Sequence, residues 1–325
     1  MLGWDGTQIT LLLRQFQKPM GVAVRGQQLA IATQHEVWLF ANAPNLAPTY
    51  LEDQPGRYDA LYLPRALHFT GDLNIHDIAY GNDGLWAVNT RFSCLASLSA
   101  DFSFIPRWRP PFISDDVPED RCHLNGLAMV DGQPRYVTAF GATDTVGGWR
   151  DHKHAGGILI DVEQHEVILR GLCMPHSPCW YGDRLWLLNS GAGELWQVDP
   201  QSGKHQVVCT LPGFLRGLCC VGNWAIVGLS QIRERRIFGE LPVQQRFPQL
   251  ICGIAIVNLT TGELAGTLEF THGCQEISAV QFLPQITRPT ILNAEKTAMR
   301  QAFTTPEFSY WLRPSAELPP PSAGA

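Results

Sequence analysis

Six times along this chain, a leading residue is followed by a short apolar run, a turn and, in all but the last copy, a second apolar strand. The copies begin 40 to 60 residues apart. Self-similarity at this period is typical of a β-propeller, in which each copy forms one blade. The leading residue is polar in five of the six copies. The leading residues are Met20, His76, Asn125, His176, Arg216 and Glu276.

The fourth copy predicts a complete blade and the sixth an incomplete one. The fourth contains four strand-like runs separated by turn residues. The sixth contains only Ile277–Phe282, and we expect the strand-like run Gln8–Phe16 to pair with it and close the ring. The sequence therefore predicts an all-β, six-bladed β-propeller as a single domain over 1–311, with a disordered tail over 312–325. The strands predicted for the fourth copy are His176–Tyr181, Arg184–Asn189, Glu194–Val198 and Gln206–Leu211.

Composition narrows the class of protein. The length of 325 residues suits one propeller, and 45% hydrophobic residues suffice for a buried core. A net charge of −6 argues against nucleic acid as a partner. The nine cysteines include no C-x-x-C pair, which favours reduced thiols over a zinc site or a disulfide framework. No long apolar segment predicts a signal or a membrane span, so we expect a cytoplasmic protein.

The leading residues are candidates for a metal site. Because strands within a blade are antiparallel, the residues that begin the inner strands should surround one mouth of the central channel. Imidazole, amide and carboxylate groups together could hold a divalent metal, without selecting among Zn, Mn, Fe and Ca. The alternative is that they bind ordered water, and Asp77 and His123 are substitutes if the register slips by one residue. The candidate metal ligands are His76, Asn125, His176 and Glu276.

Arginines on loops of the same face predict an anion site, since guanidinium groups match carboxylates and phosphates. Arg216 is favoured because it lies in the inner ring. Arg233 has Glu234 beside it, and pairing with a local acid is the alternative for each arginine. Trp149 could stack on a ligand or fix its own loop. The partner expected is a small anionic or polyhydroxylated molecule, bound by Arg216, Arg91, Trp149, Arg150 and His123.

Two family resemblances add to these expectations. The step Asn125-Gly-Leu-Ala resembles the senescence-marker and gluconolactonase propellers, whose metal is held by Glu, Asn and Asp at the starts of inner strands. Glu276 occupies an equivalent ring position, but the Asp of that family has no counterpart here, and His176 or Arg216 stands at the position expected for it. The resemblance implies a six-bladed propeller with a metal-dependent lactonase activity.

A longer resemblance covers Pro19 to Pro284. It is to an uncharacterised bacterial family of conserved hypothetical proteins, a domain of unknown function. This resemblance implies the propeller fold and brings no activity. The matching strings include Thr70-Gly-Asp-Leu-Asn-Ile-His-Asp, Glu119-Asp-Arg-Cys-His-Leu-Asn-Gly-Leu-Ala, Met174-Pro-His-Ser-Pro and Pro212-Gly-Phe-Leu-Arg-Gly-Leu.

Three functions remain open from the sequence. One is a metal-dependent, lactonase-like hydrolase with a polar site at the channel mouth, in which Glu276 or His176 moves protons. The second is a module that binds a metabolite or peptide without turnover. The third is a scaffold for protein partners, and the fold itself does not choose among them.

Overall fold

A computed structural model describes residues 1–232 and 239–313 of the chain. The described residues are almost entirely β-strand and turn. Their one α-helix, α1, covers Pro242–Arg246. The strands in chain order are β1 (Leu2–Trp4), β2 (Ile9–Leu11), β3 (Gly21–Arg25), β4 (Gln28–Ala32), β5 (Glu36–Asn42), β6 (Ala60–Phe69), β7 (Ile75–Gly81), β8 (Gly84–Asn89), β9 (Cys94–Ser97), β10 (Ile105–Trp108), β11 (Leu124–Val130), β12 (Gln133–Ala139), β13 (Gly157–Asp161), β14 (Glu166–Leu172), β15 (His176–Tyr181), β16 (Arg184–Asn189), β17 (Glu194–Val198), β18 (His205–Thr210), β19 (Phe214–Val221), β20 (Trp224–Ser230), β21 (Gly253–Asn258), β22 (Leu264–Glu269), β23 (Pro289–Ile291), β24 (Ala302–Thr304) and β25 (Ser309–Trp311).

Five antiparallel sheets form the blades of a propeller. Blade 1 is β3 to β6, with β23 added in parallel to the outer strand β6. Blades 2 to 5 are β7 to β10, β11 to β14, β15 to β18 and β19 to β22. In each blade the first strand is innermost and the others follow outward in chain order. The predicted propeller is confirmed for five blades, and the four strands predicted for blade 4 are present within a residue at each end.

The core lies between neighbouring blades rather than at one centre. In β16, Leu185 and Leu187 pack toward blade 3, whereas Trp186 and Leu188 pack toward blade 5. This follows from the alternation of side chains across a strand, which gives each blade two apolar faces. Blade interfaces of this kind are also found between blades 1 and 2 and between blades 2 and 3. The stacking fixes the inner strands around a common axis.

The sixth position of the ring differs from the prediction, and the six-bladed count is not confirmed. The expected strand Ile277–Phe282 belongs to no sheet in the described part of the chain. The segment instead bridges two blades through isolated hydrogen bonds rather than a strand ladder. The backbone N–H of Ile277 donates to Ser230 Oγ of blade 5 at 2.9 Å, and Gln281 Nε2 donates to the carbonyl of Val22 of blade 1 at 3.2 Å.

The N-terminal segment reaches this region without extending the sheet as predicted. Within Gln8–Phe16, β2 pairs with β1, and Trp4 N–H donates to the carbonyl of Thr287 at 2.7 Å. Leu12 and Phe16 pack over blade 1 together with Leu283 and Ile286. The chain after residue 282 is interrupted by prolines, which lack the N–H that a ladder needs. Of the tail predicted from Leu312, residues 314–325 lie outside the described residues.

Candidate functional site

The inner strands enclose a central channel with a cavity of about 450 Å³. Each blade contributes residues to its wall, and the segment at the sixth position closes the remaining side. The lining is polar at the mouth where the inner strands begin. The lining residues are Val22–Arg25, His76–Tyr80, Asn125, Leu127–Met129, His176–Trp180, Arg216–Leu218 and Ser278–Gln281.

A bulge at the start of four inner strands brings the leading residues to the channel. The pairing register shifts after Ile75 in β7, after Leu124 in β11, after His176 in β15 and after Leu215 in β19. A bulge leaves one residue outside the ladder and turns its side chain in a new direction. The leading residue and its successor can therefore both face the channel, although neighbours in a regular strand face opposite ways.

His76 and His176 are held in the same way. The Nδ1 atom of His76 lies 3.0 Å from the carbonyl of Asn74, and that of His176 lies 3.0 Å from the carbonyl of Met174. Because a carbonyl only accepts, Nδ1 carries the proton and Nε2 is left as an acceptor. Nε2 of either ring finds no hydrogen-bond partner within 1–232 and 239–313. Burial and the positive Arg216 lower the pKa of both histidines well below the ordinary value, so both are neutral.

Hydroxyl groups at the ends of the second strands complete this arrangement. Thr90 Oγ1 lies 2.8 Å from Nδ1 of His76, and Ser190 Oγ lies 3.0 Å from Nδ1 of His176. Asn125 repeats the pattern, because its Nδ2 donates to the carbonyl of His123 at 3.2 Å and its Oδ1 accepts from Thr138 at 2.7 Å. Both polar atoms of the Asn125 side chain are therefore engaged by protein contacts.

Arg216, the leading residue of blade 5, is not held by hydrogen bonds to the described residues as His76, Asn125 and His176 are. Its Nε is buried without a hydrogen-bond partner, and its other guanidinium nitrogens make none to the described residues. Burial lowers the pKa of Arg216, while the charges of Glu276 and Asp77 act in the opposite direction. The guanidinium is nevertheless a fixed positive charge, because even a lowered arginine pKa lies far above neutrality. The structure thus places in the wall of the channel a cation whose buried Nε has no hydrogen-bond acceptor.

Asp77 is the carboxylate of the channel wall. Its Oδ1 accepts from the N–H of Ile78 at 2.9 Å, and its Oδ2 accepts from the N–H of Leu127 in blade 3 at 3.1 Å. Burial raises the pKa of Asp77 to about 7, against the opposing effect of these hydrogen bonds and of Arg216. Ser177 has a related position in blade 4, where its Oγ accepts from the N–H of Gly217 in blade 5 at 2.9 Å.

The carboxylate of the channel wall is Asp77, which the sequence analysis names only as a substitute for a leading residue, although the sequence contains a signal for it. The residue after the leading one is glycine in blades 1, 3 and 5, but aspartate in blade 2 and serine in blade 4. Glycine is needed in blade 3 because a Cβ on Gly126 would lie 2.5 Å from Pro178 Cδ and 2.7 Å from Thr138 Oγ1. A polar side chain at this position therefore identifies the blades in which there is space for a side chain that hydrogen-bonds to the next blade.

Three of the predicted binding residues converge on Asp120, and none of them belongs to the lining of the channel cavity. Nδ1 of His123 lies 3.0 Å from both Asp120 oxygens, and Trp149 Nε1 donates to Asp120 at 3.2 Å. Arg150 lies 3.9 Å from the same carboxylate and stacks on Trp149 at 4.5 Å. Trp149 is 2% exposed, which favours the alternative that it fixes its loop.

Aromatic contacts connect this cluster to the two channel histidines. The ring centroid of His123 lies 4.4 Å from that of Phe140 and 4.7 Å from that of His76. Phe140 in turn lies 5.1 Å from His176, and His176 lies 5.5 Å from Phe214. This row of rings shields the imidazoles from water and accounts for the desolvation that lowers their pKa values.

Arg91 and Glu276 also lie outside the channel lining. Arg91 pairs with Asp72 at 2.6 Å on the surface. Glu276 is exposed and lies outside the channel lining. Arg233 lies outside the described residues. No group of three or more His, Cys, Asp or Glu side chains suited to a metal occurs in the part of the chain that is described. The metal and catalytic roles expected for His76, Asn125, His176 and Glu276 stay predictions.

Comparisons with known proteins bear on the family. A family model described as "Domain of unknown function (DUF4915)" matches residues 1–292. The crystal structure of the computationally designed Ika8 protein is similar with a TM-score of 0.39 and 9% identity, over 86% of this chain and 68% of that one. For the designed Ika4 protein the TM-score is 0.31 and the identity 13%, over 50% and 81%. No curated protein matches. Across the described residues, no helix is long and apolar enough to cross a membrane.

Proposed function

This chain belongs to the domain-of-unknown-function family DUF4915, and for this member we propose the binding of a small, hydroxylated anion in the central channel, with Arg216 as the anchor of the anionic group. The observation that carries the proposal is the guanidinium of Arg216, which lies in the channel wall with a buried Nε and no hydrogen-bond partner in the described residues. A buried guanidinium N–H without an acceptor is costly, by about 1 to 3 kcal/mol or more. An anionic ligand would supply the missing acceptors in a forked geometry.

The charges nearby favour a ligand with one anionic group. Asp77 lines the same channel and is half-protonated near neutral pH, while Glu276 lowers the positive potential from the mouth. These two carboxylates would therefore repel a second negative group on the ligand, and no second free cation among the described residues of the lining would attract it. Arg25, at the far end of the lining, already donates to the carbonyl of Gly81 and to Gln28.

The two neutral histidines favour hydroxyl groups on the ligand. With Nδ1 committed to the backbone, each Nε2 is a hydrogen-bond acceptor in the channel wall. Hydroxyl groups donate to such acceptors, and the cavity of about 450 Å³ is within the range of small-molecule sites. A compact hydroxy acid fits both requirements, with its carboxylate at Arg216 and hydroxyls toward His76 and His176.

The sixth side of the channel also belongs to this proposal. We infer that residues 276–282 take the place of a sixth inner strand. The ring then has six positions, and its last blade is reduced to this extended segment. The contacts of Ile277 with blade 5 and of Gln281 with blade 1 support this. Ser278 to Gln281 complete the wall around the ligand.

Isothermal titration calorimetry tests the proposal with glycerate, acetate, inorganic phosphate and glycerol as probes. Glycerate is expected to bind more tightly than acetate, and glycerol is expected not to bind. Arg216→Gln should weaken glycerate binding by about 30-fold or more, because losing one partner of a buried charge pair costs roughly 2 to 5 kcal/mol. Arg107→Gln is the matched control, since Arg107 lies on outer strand β10 and pairs with Asp83 at 3.0 Å.

Thermal unfolding of the ligand-free variants gives an independent check. Arg216→Gln should be at least as stable as the parent chain, because it removes a desolvated charge that the protein leaves unsatisfied. Equal binding of glycerate by the parent chain and Arg216→Gln would contradict the proposal. So would glycerol binding as tightly as glycerate.

A further inference from the structure

We propose that Cys252 and Cys274 are an oxidation site that forms a reversible disulfide and thereby fastens the channel-closing segment to blade 5. The two Sγ atoms lie 3.6 Å apart, in contact. Cys252 immediately precedes β21, and Cys274 immediately precedes the segment that lines the sixth side of the channel. A bond between them would close a loop that contains β21 and β22.

The geometry requires only a small movement. The S–S bond is about 2.05 Å long, so the sulfurs must approach by about 1.5 Å. Cys252 is fixed, because it is fully buried and its carbonyl accepts the N–H of Phe270 at 2.8 Å. Cys274 lies on a connection outside any sheet, with its Sγ 3.4 Å from the carbonyl of Glu276. The adjustment can therefore come from the Cys274 side.

Exposure sets the order of the chemical steps. Cys274 is partly exposed, so its thiolate can attack hydrogen peroxide; an S–O bond forms, the O–O bond breaks and hydroxide leaves. The sulfur of Cys252 then attacks the sulfenic sulfur of Cys274, so that the S–S bond forms and the S–O bond breaks. The departing oxygen takes the Cys252 proton and leaves as water. Two thiols lose two electrons and two protons in total, and the peroxide is reduced to water.

The other buried thiols are poorly placed for this reaction. Burial raises the pKa of Cys94, Cys122 and Cys173 to about 12, which leaves almost no reactive thiolate. Cys179 and Cys220 form the other neighbouring pair, in which the thiol of Cys220 donates a hydrogen bond that lowers the pKa of Cys179. Both lie on inner strands, β15 and β19, and a bond there would link two blades. The experiment must distinguish the two pairs.

Peptide mapping after peroxide treatment of the full chain makes that distinction. No trypsin site separates Cys252 from Cys274, because the chain lacks Lys and Arg from 247 to 287 and Arg288 precedes a proline. A glutamyl endopeptidase cleaves after Glu263 and Glu269 and separates them. The expected product is one linked peptide pair, lighter by two hydrogens than its separate peptides and split by dithiothreitol. A Cys179–Cys220 link would instead join two tryptic peptides.

Variants and exchange rates complete the test. Cys274→Ser should abolish the link, whereas Cys209→Ser, at another partly exposed thiol, should leave it intact. In Cys252→Ala, dimedone should label the sulfenic acid at Cys274. Amide hydrogen exchange over residues 275–282 should slow on oxidation and recover on reduction. Nine titratable thiols in urea after peroxide treatment, or a Cys179–Cys220 link with Cys252 and Cys274 still reduced, would overturn the proposal.

Discussion

Replacing Asp77 with asparagine tests how strongly the channel wall perturbs a charge. Burial raises the pKa of Asp77 from the ordinary 3.8 to about 7. The folded state then holds a proton that the unfolded state releases at lower pH, so the contribution of Asp77 to the stability of the parent chain should fall as the pH rises from about 4 to about 7 and then level off. At about 1.4 kcal/mol for each pH unit between the two pKa values, the full loss is at most about 4 kcal/mol.

The asparagine substitution also destabilises the folded chain, through the hydrogen bonds of this position. The two carboxyl oxygens accept from the N–H groups of Ile78 and Leu127, whereas an amide offers a single oxygen. One buried N–H is left without an acceptor, at a cost of about 1 to 3 kcal/mol. Asp77→Asn should therefore be the less stable chain at pH 4 to 5. At pH 8 it should equal or exceed the parent chain, because the variant does not titrate.

Urea unfolding followed by tryptophan fluorescence, at several pH values from 4 to 8, measures this difference. The neutral histidines of the channel titrate in both chains, so their effect cancels in the comparison. Asp199→Asn is the control: a hydrogen bond from Ser202 holds the pKa of this exposed carboxyl below its usual value, so its stability difference should be flat above pH 5. A flat difference for Asp77→Asn over the same range would refute the desolvation of Asp77.

Three further predictions concern the ring of inner strands. Gly126→Ala should destabilise the chain by about 3 kcal/mol in urea unfolding, because its Cβ would lie 2.5 Å from Pro178 and 2.7 Å from Thr138. Gly266→Ala is the control and should change the stability little, because nothing lies within 4 Å of the added Cβ. Ser190→Ala should cost about 1 kcal/mol by removing the hydroxyl beside His176, and an equal stability to the parent chain would show that this contact is not made. NMR titration of His176 should show no protonation between pH 8 and 6, whereas a midpoint near 6.5 would contradict the lowered pKa.

The repeated strands and the inner position of His76, Asn125 and His176 could be predicted from the sequence. Both depend on local pattern: side chains alternate along a strand, and turn residues separate the strands. Blade 4 shows this most clearly, since its leading histidine and all four of its strands were predicted. The choice of Arg216 as the inner-ring arginine depends on the same local reasoning.

Only the tertiary structure decided which charged groups are satisfied. Arg91 and Arg150 looked like Arg216 in the sequence, but Asp72 and Asp120 lie beside them, and Asp120 reaches Arg150 across a separation of 30 residues. A charge is neutralised by whatever the fold brings within a few ångströms, and sequence periodicity does not contain that distance.

The sixth position was also decided by the tertiary structure. A strand needs a partner ladder, and the local pattern of Ile277–Phe282 gives no sign that prolines downstream divert the chain to the outer edge of blade 1. Glu276 lies exposed outside the channel lining, while Asp77, displaced inward by a bulge, provides the carboxylate of its wall. The repeat and its inner strands follow from local patterns in the sequence, whereas the closure of the ring and the partners of its charges depend on contacts between residues far apart in the chain.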